Sequence, residues 1–466
     1  MTTSPDAATN RIRSKSLWFD QIGDELRYRS PLTGNQDCDV AIVGAGFTGL
    51  WTAYYLSVNA PQLRVVVLES VTVGFGASGR NGGWAGGGIA GSSHRYAKRH
   101  GWEAVRRAVA ESNSAVGEIG SVIRAEEIDC DYSQQGTLVA ATSGPQAARL
   151  QSWFDDQRAL GILGEGERLL SPDECGQFAN VASTRAGFYT PYCAGIQPVR
   201  LVRGLAHAAE RRGVTIFEDT RVTAIGPGCV DTTRGRIRAR HVVRATESYT
   251  TLMPRQKRRY LPLTSLMVAT APLSPQQWSE IGMSKGMTVK DKHHLFFYAQ
   301  RTSDDRLVIG GRGAPYSLRA PMAESRETNA DVRDRLCRTI ATNFPAAASV
   351  PVTHHWGGTL GVPRDWCMSV SMDRTGVATA GGYSGHGVVA TNIAGRTLTD
   401  LILGHDTPLV RMPWVNHLSR SWEPEPIRYL ASQAIVGITG SADVYEDRYD
   451  RSARRTSLIK PFLPPG

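Results

Sequence analysis

The sequence predicts an α/β fold, with a parallel sheet in one domain and a mostly antiparallel sheet in another. Residues 39–44 are a short apolar run that ends in a glycine turn, a helical segment follows at 50–57, and a second apolar run occupies 64–69. Strand, turn, helix and strand within about 30 residues form one βαβ unit, and short unbroken apolar runs suit a parallel sheet that is buried on both faces. Longer strand-like runs between 260 and 312 indicate the antiparallel sheet of the second domain.

Length and composition restrict the class of protein. The chain has 466 residues, more than one simple core accommodates, so two closely packed domains are expected. Hydrophobic residues make up 41% and charged residues 21%, as in ordinary globular proteins. No run approaches the roughly 18 apolar residues of a membrane helix, and residues 1–36 lack the apolar core of a secretory signal. We therefore expect a cytoplasmic protein without a membrane span.

The formal net charge of +10 raises the question of a nucleic-acid partner. Basic residues are spread along the chain, however, and the densest cluster covers only residues 255–259. The charge therefore favours an anionic substrate or cofactor over a nucleic acid.

Cysteine and histidine spacing predicts no metal site. Seven scattered cysteines form no Cys-x-x-Cys pair, which also argues against a disulfide framework. The pairs His293-His294 and His354-His355 look like ligand pairs, but adjacent residues on a strand point to opposite faces.

The remaining elements are interleaved along the chain. Residues 1–36 are polar and indicate an extension on the surface, whereas 101–125 and 201–213 have helical spacing. Short strands are predicted at 214–217, 222–225, 241–245 and 376–382, and an apolar helix that follows them ends near 403. The parallel-sheet domain must then be discontinuous, with parts at 39–95, 200–250 and 375–403.

The turn after the first strand reads Gly44-Ala45-Gly46-Phe47-Thr48-Gly49 and matches G-x-G-x-x-G. Its first glycine permits the tight turn, the second lets the backbone reach a pyrophosphate, and the third allows close packing of helix on strand. Phosphates then lie at a helix N-terminus, where free N–H groups attract negative charge. Glu69 follows twenty residues later at the end of the next strand, where a carboxylate can accept hydrogen bonds from ribose hydroxyls. The pattern predicts a dinucleotide site without separating FAD from NAD.

A second glycine-rich segment, 74–83, follows directly, with Ser78, Arg80 and Asn81 interleaved. A backbone so free of side chains can lie flat against a planar ring system and offer it amide donors. A flexible loop is the alternative, but such a linker would carry simpler Gly/Ser sequence. This segment favours contact with a flavin.

With these motifs the sequence resembles the D-amino-acid oxidase (DAO) superfamily of FAD enzymes, in particular its branch around gamma-glutamylputrescine oxidoreductase. The shared features are an N-terminal extension, the glycine turn with its glutamate, the GASGRNGG segment at 76–83, and GYSGHG at 382–387. The segments 262–273 and 356–358 are also similar, so the resemblance spans about 16–405.

The resemblance implies a Rossmann-like FAD-binding domain of the glutathione-reductase type and a second α+β substrate domain built on an antiparallel sheet. The expected FAD-binding segments are 37–100, 186–255 and 350–410. The expected substrate-domain segments are 101–185 and 256–349. Residues 1–36 and 411–466 would be N- and C-terminal extensions.

It also implies which residues contact non-covalently bound FAD. The glycine turn would hold the pyrophosphate, Glu69 the ribose, 77–83 the flavin, and Val222 the adenine through its backbone. The full expected set is Gly44, Gly46, Phe47, Thr48, Gly49, Glu69, Ser70, Gly76, Ala77, Ser78, Arg80, Asn81, Gly82, Gly83, Val222, Ala245, Ser384, Gly385, His386, Gly387 and Val388.

His386 and Arg364 are the candidate catalytic residues. The turn at 385–387 opens the last long helix, whose dipole suits the N1–C2=O edge of a reduced flavin; the alternative for His386 is a side chain that only packs. Arg364 could pair with a substrate carboxylate, or with Asp365 or Asp373 on the surface. Further candidates for the pocket wall, each equally suited to the core, are Tyr249, Phe297, Tyr298 and Trp356.

In the family, flavin N5 accepts a hydride from a carbon that bears an amine, and the resulting imine hydrolyses to a carbonyl compound and an amine. No acid–base pair is required if the amine binds deprotonated. The alternatives are a flavoprotein acting on a modified tRNA base and an FAD subunit of a multi-subunit amine dehydrogenase. The expected partners are thus a small amine and an electron acceptor, either oxygen or an unknown carrier.

Two features depart from relatives. Relatives of the sarcosine-oxidase branch carry a lysine that promotes reaction with oxygen, and the matching strand at 306–311 has none, so oxygen as acceptor stays open. Cys367 precedes the last flavin segment, but its spacing does not fit the branch that attaches FAD to cysteine.

Overall fold

The structure, a computed structural model, describes residues 5–311, 313, 316–318 and 322–458. Within them the α-helices are α1 (Pro5–Arg13), α2 (Leu17–Ile22), α3 (Phe47–Asn59), α4 (Ser93–Ala125), α5 (Gly144–Ala159), α6 (Pro172–Gly176), α7 (Pro198–Arg211), α8 (Pro275–Ile281), α9 (Ala330–Asn343), α10 (Gly387–Leu403) and α11 (Ile427–Tyr449). The strands are β1 (Gln36–Val43), β2 (Val65–Leu68), β3 (Trp84–Gly86), β4 (Thr137–Ala141), β5 (Arg168–Leu170), β6 (Ala186–Thr190), β7 (Cys193–Gly195), β8 (Thr215–Phe217), β9 (Val222–Gly226), β10 (Cys229–Thr232), β11 (Gly235–Arg244), β12 (Leu261–Thr270), β13 (Thr288–Asp291), β14 (Phe297–Arg301), β15 (Leu307–Gly311), β16 (Val352–Val362), β17 (Ser369–Met372) and β18 (Val377–Gly381).

The first sheet has the order β17-β18-β11-β1-β2-β8, and β9 and β10 form an antiparallel addition on β11. Neighbours from β18 to β8 are parallel, and only β17 runs antiparallel at the edge. The four residues of β2 are all buried, as a strand covered on both faces requires. Helices α3, α7 and α10 pack together, and α10 also contacts β17 and β18. The predicted βαβ unit is therefore present.

The second sheet has the order β16-β12-β15-β14-β13-β4-β6-β5. All its pairs are antiparallel except β13 with β4, so the sheet is mixed rather than purely antiparallel. One face packs on α8 and α9 through a buried cluster that includes Leu138, Val289 and Phe297. A small third sheet pairs β3 with β7.

Three predicted boundaries differ from the observed packing. β6 and β16 hydrogen-bond in the second sheet, although 186–190 and 352–362 were expected in the FAD-binding domain. Conversely, α4 was expected in the substrate domain, but its apolar residues Val105 and Ile119 share one buried cluster with β1. The sequence showed the type of each element, but long-range strand pairing and helix packing decide its domain.

The N-terminal segment is not a surface extension. Leu17, Trp18 and Phe19 of α2 are at most 1% exposed. The hydroxyl of Ser16 caps α2 by accepting the N–H of Phe19 and donates to the carbonyl of Gly79 at 2.8 Å. The indole of Trp18 donates to the carbonyl of Asn81, also at 2.8 Å. Helix α2 thus packs against the glycine-rich segment 74–83. The expectation of a surface extension was wrong because the apolar run at 17–19 is short and is flanked by polar residues.

The C-terminal helix α11 lies against the loop between β13 and β14. The carboxylate of Asp443 accepts the N–H groups of His294 and Leu295, both at 2.9 Å. Glu446 pairs with Arg149 of α5 at 2.6 Å. None of the helices in the described residues is long and apolar enough to cross a membrane.

Candidate active site

A single cavity of about 2240 Å³ lies between the two sheets. One part of its wall comes from the carboxyl ends of β1 and β2, the glycine-rich segment and the start of α10. The other part comes from the face of the second sheet turned away from α8 and α9, and from α11. The cavity is therefore large enough for a dinucleotide and a second small molecule, and each could contact a different part of the wall.

The glycine turn follows β1 and starts α3. Gly44 has a φ of +107°, and a Cβ there would lie 2.6 Å from the carbonyl oxygen of Ala245. A Cβ on Gly49 would lie 2.0 Å from the carbonyl oxygen of Gly44. Gly44, Gly46, Phe47 and Thr48 border the cavity, whereas Gly49 does not. Gly49 permits close packing of α3 on the turn, and the other four positions border the space in which a phosphate would lie.

Glu69 borders the cavity at the end of β2, next to Ser70. Its carboxylate accepts the N–H groups of Ala45 at 3.0 Å and Val71 at 3.1 Å. Burial raises the pKa of Glu69, and the two N–H groups oppose that shift. The carboxylate is thus oriented by the glycine turn and remains open to the cavity.

Most of the glycine-rich segment also faces the cavity: Gly76, Ala77, Ser78, Arg80, Asn81 and Gly82. The hydroxyl of Ser78 accepts the N–H of Phe47 at 2.9 Å, which joins this segment to the first glycine turn. Arg80 pairs with Glu327 at 2.6 Å and lies over the ring of Phe75.

Gly83 lies outside the cavity wall in the described residues. A Cβ there would meet Nε2 of Gln300 at 2.1 Å, and its φ is +72°. Its expected flavin contact is therefore not supported, because tight packing against Gln300 already accounts for this glycine.

The third predicted segment, Ser384, Gly385, His386, Gly387 and Val388, borders the cavity where α10 begins. A Cβ on Gly385 or Gly387 would meet no atom of the described residues within 4 Å, so packing within the protein does not demand these glycines. The φ of Gly385, +101°, by itself favours glycine, whereas close approach of a ligand to the helix N-terminus would explain Gly387.

His386 is exposed to the open cavity, whose wall it joins at the start of α10. Burial, followed by the charge of Lys290, lowers the pKa of His386 to about 4, and a hydrogen bond to the backbone of Gly87 opposes the shift. Its imidazole is therefore uncharged at neutral pH.

Val222 and Ala245, for which the resemblance implies contact with FAD, also border the cavity. Three separate stretches of chain thus meet around one elongated space with a carboxylate and two helix N-termini at its walls. These features fit an FAD molecule: phosphates at the start of α3, ribose at Glu69 and a flat ring against the glycine-rich segment.

Among the predicted pocket residues, Tyr249 and Tyr298 border the cavity. The hydroxyl of Tyr298 lies 2.8 Å from that of Ser265, and its ring makes an edge contact with Trp84. Phe297 and Trp356 do not form the wall. Phe297 points to the opposite face of the sheet and packs on Phe344, since side chains alternate along a strand.

Trp356 is buried against Trp18, and its indole donates to the carbonyl of Arg80 at 3.1 Å. It supports the glycine-rich segment instead of contacting the cavity. The aromatic composition of both segments suggested a pocket, but only the strand register shows which face each ring occupies.

Arg364 borders the cavity, but its guanidinium already forms an ion pair within the protein. Its Nε donates to both carboxylate oxygens of Glu423, at 3.0 and 3.1 Å, and its guanidinium lies over Trp422. The partner is neither Asp365, which pairs with His417, nor Asp373, which accepts from Thr375. Glu423 lies about 60 residues later in the chain, so the sequence offered no sign of this pair.

The sequence analysis missed two lysines on the cavity wall, Lys290 and Lys292. They alternate with the buried Val289 and Asp291, so the pattern Lys-x-Lys within the strand-like region between 260 and 312 could have indicated a cationic face.

Cys367 does not border the cavity in the described residues. It is 1% exposed, and burial raises the pKa of its thiol to about 12. This position gives no support to covalent attachment of a flavin.

Comparison with known proteins agrees with this site. The family model described as FAD dependent oxidoreductase (DAO) matches residues 39–401. Gamma-glutamylputrescine oxidoreductase of Escherichia coli (strain K12) is 30% identical over 378 residues, which cover 79% of this chain and 84% of that protein. The probable oxidoreductase OrdL of Haemophilus influenzae is 28% identical over 404 residues, covering 85% and 89%.

Among solved structures, glycine oxidase from Geobacillus kaustophilus superposes with a TM-score of 0.67 at 21% identity, covering 82% of this chain and 100% of that one. L-proline dehydrogenase from P. horikoshii gives a TM-score of 0.64 at 18% identity, covering 82% and 98%. These likenesses show a shared fold. Because the family model covers most of its length, the chain belongs to the DAO family of FAD-dependent oxidoreductases.

Proposed function

We propose that the protein oxidises the C–N bond of a small amine or amino acid, giving an imine that hydrolyses to a carbonyl compound and an amine. The observation that carries the proposal is the continuity of one cavity from the glycine turn to the face of the second sheet. Cofactor and substrate can therefore meet inside the protein. Relatives named for amine and amino-acid substrates support the substrate class.

We also propose that the first sheet with α3, α7 and α10 is a discontinuous FAD-binding domain of the glutathione-reductase type, and that the second sheet forms the substrate domain. The cofactor contacts proposed for this domain are the cavity residues of the three glycine-containing segments, with Glu69, Val222 and Ala245. Gly49 supports them by packing.

FAD, when bound, supplies the two-electron acceptor for a hydride from carbon. The protein's part is to position the substrate and to exclude water. Tyr298, held by Ser265 and Trp84, provides a fixed wall on the second sheet. His386 offers hydrogen bonds without adding charge, because its pKa is about 4.

The free N–H groups at the start of α10 favour negative charge that develops in their vicinity. No acid–base pair is needed in this scheme if the amine arrives deprotonated. Electron transfer onward, to oxygen or to a carrier, is outside this proposal.

The test is to mix the FAD-loaded protein, without oxygen, with a panel of amino acids, N-methyl amines, polyamines and aminophosphonates. Reduction of the flavin is measured as a loss of its absorbance. Hydroxy acids and glycerol phosphate serve as C–O controls. Bleaching by one of the amines, with a stoichiometric carbonyl product, is the expected result. Bleaching by the C–O compounds alone would overturn the proposal.

A further inference from the structure

Lys290 lies on the middle of β13, and its side chain faces the cavity. Its cross-strand partners, Val139 on β4 and Tyr298 on β14, border the same cavity. Val289, next to it, packs on the opposite side of the sheet. A cation therefore stands on the substrate-side wall, among apolar and hydroxyl-bearing side chains.

Lys290 makes no hydrogen bond and no ion pair with the residues that the structure describes. The neighbouring cations on this wall have partners: Arg149 pairs with Glu446, Arg364 with Glu423, and the ammonium of Lys292 lies 5.0 Å from the ring centre of Trp153. Of these four cations, Lys290 is the one without a partner among the described residues, so it is available to a ligand.

The acidic residues along the cavity also have donors of their own. Glu167 accepts the N–H of Gly164 at 2.7 Å, and Glu247 accepts that of Gly361 at 2.7 Å. Asp291 turns to the other face, where it contacts His293 and accepts the N–H of Phe297. None of these contacts supplies a counter-charge for Lys290.

Burial of Lys290 lowers its pKa, with smaller opposing effects from Cys193 and Asp291. A buried ammonium without an anionic partner is unfavourable, and an anionic ligand group removes that cost. Lys290 and His386 border the same cavity, and burial and then the charge of Lys290 lower the pKa of the imidazole, so a ligand at Lys290 would face the start of α10.

We propose that Lys290 is the specificity-determining residue that binds an anionic group, such as a carboxylate, on the amine substrate. This inference rests on the proposed function and narrows its substrate class to amines that carry a negative charge. Simple diamines and other dications would be disfavoured, because their positive charges would approach the unpaired ammonium.

The test measures ligand binding to the FAD-loaded protein and does not depend on turnover. Benzoate and acetate are titrated against benzamide and acetamide, their neutral counterparts, by flavin absorbance change and by calorimetry. In the wild type, the carboxylates should bind at least tenfold more tightly than the amides. Lys290→Met should weaken carboxylate binding at least tenfold and leave amide binding unchanged, whereas Lys290→Arg should restore most of the affinity.

Lys292→Met is the matched control, because Lys292 also borders the cavity but follows the last residue of β13 and lies over Trp153. We expect it to change carboxylate binding less than threefold. Equal binding of amides and carboxylates by the wild type would overturn the inference, whatever the folding of the variants. So would equal weakening by Lys292→Met and Lys290→Met.

The two proposals can fail separately. Carboxylate binding through Lys290 without flavin reduction by any amine would contradict the proposed function alone. The inference alone would be contradicted if amines without an anionic group reduced the flavin rapidly, and equally fast in wild type and Lys290→Met.

Discussion

The carboxylate of Glu69 accepts the backbone N–H of Ala45 at 3.0 Å, so the end of β2 is tied directly to the glycine turn after β1. This contact places the group proposed to bind ribose beside the loop proposed to bind phosphate. The ribose and phosphate contacts proposed for FAD would therefore come from one pair of neighbouring strands.

Replacement of Glu69 by alanine should weaken FAD binding about 10- to 100-fold, the range of a charge-assisted hydrogen bond worth about 1.5–3 kcal/mol. The measurement is equilibrium dialysis of FAD. Glu103→Ala, which removes an exposed carboxylate of α4 away from the cavity, should change the dissociation constant less than threefold. Unchanged affinity in Glu69→Ala would remove Glu69 from the FAD site.

Gly49→Ala should prevent stable folding, because its Cβ would lie 2.0 Å from the carbonyl oxygen of Gly44. Gly117→Ala is the control: a Cβ at this helical position meets no described atom within 4 Å. It should stabilise the protein by about 0.5–1 kcal/mol, since alanine favours helix. Urea denaturation of both variants checks the pair, and a well-folded Gly49→Ala protein would contradict the close packing of α3.

Trp18→Ala should destabilise the protein by about 3–5 kcal/mol, the usual cost of truncating a large buried aromatic side chain. It should also loosen FAD, because Trp18 donates a hydrogen bond to Asn81 in the glycine-rich segment. Tyr28→Ala, at a residue that is 45% exposed, should stay within about 0.5 kcal/mol. Equal effects of the two substitutions in thermal unfolding would mean that α2 is not part of the core.

Arg364→Ala should leave the KM for a carboxylate-bearing amine within about threefold of wild type, since Glu423 already neutralises the guanidinium. Lys290→Met should raise the same KM at least tenfold. Steady-state kinetics with a substrate found by anaerobic flavin reduction provides the comparison. The reverse order of effects would restore Arg364 as the substrate anchor.

Stability should depend on pH through Glu446, which fastens α11 to Arg149 of α5. Burial alone would raise its pKa, but the nearby His294 imidazole at 3.7 Å and the hydrogen bonds from the N–H of Ala453 and from Arg149 outweigh burial and lower the pKa to about 2. Because the folded-state pKa is depressed, the carboxylate stabilises the fold above about pH 4.5, its ordinary range, and this contribution is lost as pH falls towards 2.

Glu446→Gln should therefore be less stable than wild type at pH 7, and the difference should shrink between pH 4.5 and 2. Urea denaturation at several pH values measures it, with the exposed Glu25→Gln as a control that shows no such trend. A difference that stays constant with pH would argue against the ion pair.

Local features of the sequence were enough for the cofactor end of the site. Glycines at 44, 46 and 49 signal a backbone that other residues cannot adopt or pack against, and Glu69 follows at the spacing of a βαβ unit. Such requirements are carried by consecutive residues, so the elements and most of the cavity-lining residues of this end were predictable. The family membership suggested by these motifs is confirmed.

The substrate end depended on contacts between distant parts of the chain. Strand register places Phe297 in the core and directs Lys290 towards the cavity. Arg364 forms an ion pair with Glu423, about 60 residues later in the chain. Trp18 and Trp356 meet across more than 330 residues behind the glycine-rich segment. The sequence by itself determined the fold class and the cofactor, because short motifs of consecutive residues indicate both. Only the tertiary structure decided which cation faces the substrate, because long-range packing sets side-chain direction and charge pairing.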